Sequence, residues 1–297
     1  MLLEKSIPFN YTLKKVKLDI LIILIIGITT HMIKKNFNEV FPEMPIAIPA
    51  FIGTAISVIL SFKLNQSYDR WWEARKVWGS IVNDSRTFVL QLQAFLPKNS
   101  KLTVKKIAFR HIAWCFSLAN SLRGLSSLEN LENFLTKEEI DFISKHSNKP
   151  LAILQLNSVD IAELKDKEQI EVFSHVQLNN VISSFTNSMG MAERIKNTIF
   201  PVTYSVFLHA FIYLFIITLS ISLQNIEIIY ELPLLVVISS VFLMLENAAK
   251  DMQDPFSNKP TDTAMTSIST TIEINIKQLV SEENIPEPFA PGKFYLM

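Results

Sequence analysis

The stretch from Gly53 to Arg86, GTAISVILSFKLNQSYDRWWEARKVWGSIVNDSR, limits what this chain can fold into more than any other. No proline interrupts it before Pro97, so it reads as one helix from Gly53 to about Phe95. Its first part is apolar enough for a bilayer, whereas its second part carries Arg, Lys, Glu and Trp. One rod is therefore expected to leave a membrane and enter water. The whole chain agrees: 49% of its residues are hydrophobic and 19% charged, with a mean hydropathy of +0.26. That balance calls for a membrane part joined to a sizeable aqueous part.

Two stripes run along the apolar half. Gly53, Ser57 and Ser61 recur every fourth residue, and so do Thr54, Val58 and Phe62. Each step of four turns the helix by about 400°, so each set forms a slowly drifting line. The first is a small-xxx-small stripe that lets another helix approach closely in lipid. The second is nearly apolar. Repeated around an axis it would make stacked rings, a narrow constriction of the kind that gates by dewetting. The pattern by itself leaves two readings open, ordinary helix packing and a pore wall.

The other spans follow from hydropathy and charge. Lys14, Lys15 and Lys17 precede an apolar run that would suit a secretory signal, but no small-x-small cleavage pattern follows it. A short first transmembrane helix over Leu18–Ile33 is the better reading, with Asp19 at headgroup level. Pro42, Pro45 and Pro49 predict an irregular link over Phe37–Pro49. Tyr204–Leu223 is the clearest span, with His209 near one end, and Leu232–Leu245 is the fourth. The N-terminal lysines, Lys63 to Arg86, Arg194, Lys196 and Lys250 fall on one side of a four-span topology, which the positive-inside rule makes cytoplasmic. Lys34 and Lys35 fall on the other.

Between the second and third spans the pattern is helical: Lys105–Leu122, a capping box Thr136–Glu139 opening a helix, a break at Ser147–Pro150, a short helix from Ser158–Asp160, and a helix over Lys167–Asn197 with Gly190 as a weak point. After the fourth span, Thr261–Leu279 shows helical spacing and Ile285–Pro291 an extended segment. The expected division is residues 1–62 (first two spans), 63–203 (cytosolic helices), 204–245 (last two spans) and 246–297 (cytosolic tail).

Several function classes are excluded. The formal net charge is zero, so no basic field favours nucleic acid. Cys115 is the only cysteine, which rules out an internal disulfide or a cysteine-based metal cluster. The histidines (His31, His111, His146, His175, His209) show no metal-ligand spacing, and no nucleophile elbow, P-loop or dinucleotide fingerprint occurs. An enzyme, a resident metal and a cofactor are thus not expected. Arg70, Glu73, Arg75 and Lys76 read either as a binding cluster or as a basic collar with salt bridges along the helix. Trp71 and Trp72 are adjacent, about 100° apart on a helix, so they cannot both face the same lipid.

The run YDRWWEARKVWGSIVNDSR (Tyr68–Arg86) closely resembles the hallmark segment of bacterial bestrophin-family proteins, through Arg70, Trp71, Trp72, Glu73, Arg75, Trp78, Gly79, Asn83 and Arg86. Glu193–Ile195, Pro201–Tyr204 and Asp254–Phe256 extend the resemblance over most of the chain. It implies an all-α integral membrane protein with four transmembrane helices per subunit, a helical cytosolic region, and a homopentamer around one axial pore. It also implies a passive ion channel of a bacterial inner membrane, multi-pass with both termini cytoplasmic. Small inorganic ions, the bilayer and further copies of the chain are the implied partners. Anion passage is favoured and monovalent cation passage is open. The resemblance puts the pore neck at Thr54, Val58 and Phe62, which favours the pore reading of that stripe, with Gly53, Ser57 and Ser61 packing behind it. A second constriction at the cytosolic exit is implied near Val172, Phe173 and Val176.

Two departures from the family pattern stand out. Thr54 replaces a bulky apolar residue and is expected to wet the outer ring. Lys259 stands in the loop Ser257–Asp262 where animal members place acidic calcium ligands, so no calcium clasp of that type is expected. A secondary transporter is the first rival, but neither half of the chain resembles the other. A membrane-anchored scaffold or sensor without a pore is the second.

Overall fold

A computed structural model describes residues 8–37, 44–198, 201–223, 225–290 and 294–296. Among these the regular secondary structure is helical, apart from an isolated bridge at Tyr295. The helices are α1 (Phe9–Asn36), α2 (Ala47–Phe95), α3 (Lys101–Leu122), α4 (Lys137–Ser144), α5 (Lys149–Asp166), α6 (Val172–Asn197), α7 (Val202–Ser222), α8 (Ile228–Gln253) and α9 (Met265–Leu279). The chain divides into two compact units. One comprises Lys5–Arg70 and Ile199–Gln253, the other Met1–Glu4, Trp71–Thr198 and Asp254–Met297. Helix α2 contributes its residues through Arg70 to the first and the remainder to the second.

Among the described residues, the first unit holds four helices long and apolar enough to cross a membrane, α1, α2, α7 and α8. Ile23, Ile56, Leu60, Leu208, Ile212, Phe215 and Leu235 form its core. Gly27 is required by close approach: a Cβ there would lie 2.8 Å from Leu232 Cδ2. Helix α1 runs well beyond Leu18–Ile33, because Lys14, Lys15 and Lys17 continue it rather than cap it. Helix α2 starts earlier than Gly53. Pro49, expected in the preceding link, sits in the first turn of α2, where its missing N–H costs no hydrogen bond. Within that link residues 38–43, with Pro42, lie outside the described residues.

In the second unit Trp78, Phe88, Trp114, Phe185, Phe256 and Ile276 belong to one buried cluster. Thr136 and Glu139 form the expected capping box, each bonding the other's backbone amide, at 3.3 and 2.9 Å. Hydrogen bonds from its own backbone amide and from the Thr136 side chain hold the Glu138 carboxyl below its usual range. No helix starts at Ser158–Asp160, because α5 runs unbroken from Lys149, with the Asn148 side chain capping the Leu151 amide. Asp160 instead partners Arg110. Helix α6 begins at Val172 rather than Lys167, after a turn in which Glu168 has φ 57°. Gly190 leaves it intact. Helix α9 begins at Met265 rather than Thr261, since Lys259–Asp262 is folded as a hydrogen-bonded turn.

Candidate functional site

Thr54, Val58 and Phe62 lie along one line of α2, and all three are exposed in the isolated chain, Val58 by 52% and Phe62 by 63%. Their neighbours Ile56 and Leu60 are buried in the first unit's core. The helix thus buries one face against the rest of the chain and leaves this stripe exposed. The Thr54 hydroxyl donates to the Ala50 carbonyl at 2.9 Å, so its proton is used within the helix. Of the small-residue stripe, only Gly53 is buried. A Cβ there would come within 3.1 Å of the Phe215 ring, which explains the glycine. Ser57 and Ser61 are exposed, and Ser57 donates to the Gly53 carbonyl at 2.8 Å.

Two ionic networks brace the same unit, and sequence reading missed their pairing. Lys63, fully buried, donates to Glu246 Oε1 at 2.8 Å and to Ser205 Oγ at 2.7 Å. Lys250 and His209 approach the other Glu246 oxygen at 3.0 and 3.4 Å. Farther along, Lys34 donates to Glu231 at 2.8 Å and to the Ser220 carbonyl at 2.6 Å, while His31 meets Glu231 at 2.7 Å. Lys34, the cation that disagreed with the charge pattern, is therefore paired inside the bundle. Glu231 and Glu246 in an otherwise apolar α8 were the signal, because a lone buried carboxylate demands a cation.

In the second unit the tryptophan-rich segment holds helices together. Trp78 is fully buried, while Trp71 donates Nε1 to the Thr261 carbonyl at 3.3 Å and stacks on the half-exposed Trp72. Glu73 pairs with Arg194 of α6 at 2.7 Å, a tertiary contact rather than a salt bridge along α2. Arg86 donates to Asn275 of α9 at 2.9 Å. Gly79 lies 3.7 Å, at its notional Cβ, from Arg75 Nη1, and Asn83 is exposed. Arg70 falls in the first unit. Beneath this segment His111 is sealed among Phe88, Trp114 and Phe185, with Ser85 at 2.8 Å from its Nε2. Burial lowers its pKa to about 3 and pushes the Cys115 thiol up. Val172, Phe173 and Val176 stand exposed on the first turns of α6, Phe173 by 82%. Among the described residues no cluster of His, Cys, Asp or Glu is arranged to hold a metal ion.

The bacterial/fungal bestrophin family matches residues 10–278. This chain belongs to the bestrophin family. A voltage-dependent anion channel-forming protein of Escherichia coli is 29% identical over 247 residues, covering 83% of this chain and 80% of that protein. One of Ralstonia nicotianae is 26% identical over 249 residues, covering 83% and 81%. In structure the fold resembles a bacterial bestrophin homologue from Klebsiella pneumoniae, with TM-score 0.84 and 24% identity over 91% of this chain and all (100%) of that one. The bestrophin hallmark read in Tyr68–Arg86 thus sits in a helical membrane protein with four candidate spans. Family and relatives alike point to a channel rather than an enzyme.

Proposed function

We propose that this bestrophin is the subunit of a homopentameric, passive anion channel in a bacterial inner membrane, with residues 1–19, 63–203 and 246–297 on the cytoplasmic side. The observation that carries the reading is the exposed line Thr54–Val58–Phe62 on a membrane-length helix whose opposite side is packed. Five copies around an axis would turn it into three stacked rings. Val58 and Phe62 make the dry part, where opening is a wetting transition. Thr54, its proton held by Ala50, offers an anion no donor, so the outer ring is less polar than its residue type suggests. Val172, Phe173 and Val176 form the second constriction in this reading. Gly53 sets the distance to α7, while Ser57 and Ser61 face the adjacent subunit. Anion preference is inferred from the channel-named relatives, since apolar rings do not themselves discriminate charge sign.

The test is current from purified protein in planar bilayers under a KCl gradient. Discrete currents reversing near the chloride potential, and altered in Val58→Ala and Phe62→Ala, support the proposal. Reversal near the potassium potential would overturn the anion assignment. Silence from intact pentamers would favour a scaffold.

A further inference from the structure

The segment Pro201–Tyr204 carries part of the bestrophin resemblance, and its last residue touches α2 inside the neck. The Tyr204 hydroxyl, on the first turn of α7, donates to the Ile59 carbonyl of α2 at 2.9 Å. Within an unbroken helix that carbonyl accepts the amide four residues on, that of Lys63, and its second lone pair is open to a further donor. Ile59 stands in the turn between Val58 and Phe62. Tyr204 therefore grips the backbone of the neck segment rather than one of its side chains.

The next residue holds α2 one turn farther on. Ser205 Oγ accepts from Lys63 Nζ at 2.7 Å, and Lys63 also reaches Glu246 Oε1 of α8 at 2.8 Å. Residues 59 and 63 are thus both held by consecutive residues of α7. Helix α7 is itself seated in the core of the first unit through Leu208 and Ile212, both buried. Exposure along α2 follows from this grip: Lys63 is fully buried, whereas its neighbour Phe62 is 63% exposed. Consecutive residues point about 100° apart on a helix, so the rotation of α2 that buries Lys63 is the one that turns Phe62 outward. Two contacts a turn apart fix that rotation, where one would leave a pivot.

We propose that Tyr204 and Ser205 are positioning residues of the neck. Through Ile59 and Lys63 they hold α2 at the rotation that aims Val58 and Phe62 at the pore axis, and so favour the dry, closed state. This rests on the channel reading and adds to it what sets the neck.

The experiment is single-channel recording of the full-length protein in planar bilayers, for wild type, Tyr204→Phe, Ser205→Ala, Phe62→Ala and the double variant Tyr204→Phe/Phe62→Ala. Tyr204→Phe removes one oxygen and keeps the ring, and Ser205→Ala leaves Lys63 paired with Glu246. Both should therefore fold, which melting temperature and size-exclusion profiles check. Losing one hydrogen bond shifts an equilibrium by about two- to tenfold, so each variant should raise open probability by that factor. Open-pore conductance should stay that of wild type, since neither side chain belongs to the exposed line. The decisive readout is coupling: with Phe62 already truncated, Tyr204→Phe should add little. A contact that only steadies α7 would lower the melting temperature equally in both backgrounds and leave open probability alone. Open probability within about twofold of wild type for either single variant, or a Tyr204→Phe effect undiminished by Phe62→Ala, overturns the proposal. The channel reading is judged separately, by whether Phe62→Ala itself alters the current; if it does not, both readings are overturned.

Discussion

Lys63 and Glu246 meet at 2.8 Å with both side chains fully buried in the membrane unit. Removing Glu246 strands the buried Lys63 ammonium in a medium that solvates it poorly, whereas removing Lys63 leaves Glu246 the Lys250 ammonium at 3.0 Å. Glu246→Gln should cost about 3–5 kcal/mol and Lys63→Met less. The double replacement Lys63→Met/Glu246→Leu should recover much of the loss. Melting temperatures and size-exclusion profiles in detergent check this, and a double variant no better than the singles would show that the pair is not an isolated unit.

Neck truncation addresses the pore reading. Val58→Ala and Phe62→Ala remove apolar wall from every ring, a bias on the order of 1 kcal/mol toward the wet state. About a fivefold rise in open probability is expected. Thr54→Leu should act in the opposite sense. Single-channel recording reads both.

His111 predicts a pH dependence. Its folded pKa, about 3, lies below the usual imidazole value of 6.5, so the folded state takes up fewer protons. Its contribution is therefore fully present above 6.5 and is lost as pH falls toward 3, at up to about 1.4 kcal/mol per unit. Gln can still donate to Ser85. The His111→Gln variant should thus show a shallower loss of melting temperature between pH 7 and pH 4 than wild type.

Calcium at micromolar levels should leave the current unchanged. The carboxylates of the 254–262 segment are already engaged, Asp254 with Lys196 and the Phe256 amide and Asp262 with Ser257 and the Lys259 amide. A hard cation would have to displace these before collecting its own oxygen ligands. A shift in open probability during calcium titration in planar bilayers would contradict this.

Much of the membrane unit was legible because a bilayer demands long apolar helices, and that demand is written in contiguous residues. The apolar half of the 49-residue rod α2 is of this kind, and the capping box at Thr136 in the second unit was legible because it too lies within four consecutive residues. Boundaries were less legible. Pro49 reads as a break although a first helical turn accepts it, and Ser158–Asp160 reads as a helix start because the demand of Arg110 for Asp160 comes from another helix.

By itself, then, the sequence determined the helical class, the candidate spans, the stripe on α2 and, through Tyr68–Arg86, the family. Only the tertiary structure decided which charges are partners. Lys63 finds Glu246, Lys34 finds Glu231 and Glu73 finds Arg194, whereas among the described residues Arg123 finds only Thr266, through one of its three nitrogens. The physical reason is range. Helix periodicity is a local property read within a few turns, but a buried charge is satisfied by whatever the packed helices bring within hydrogen-bond distance, across 183 residues for Lys63 and Glu246.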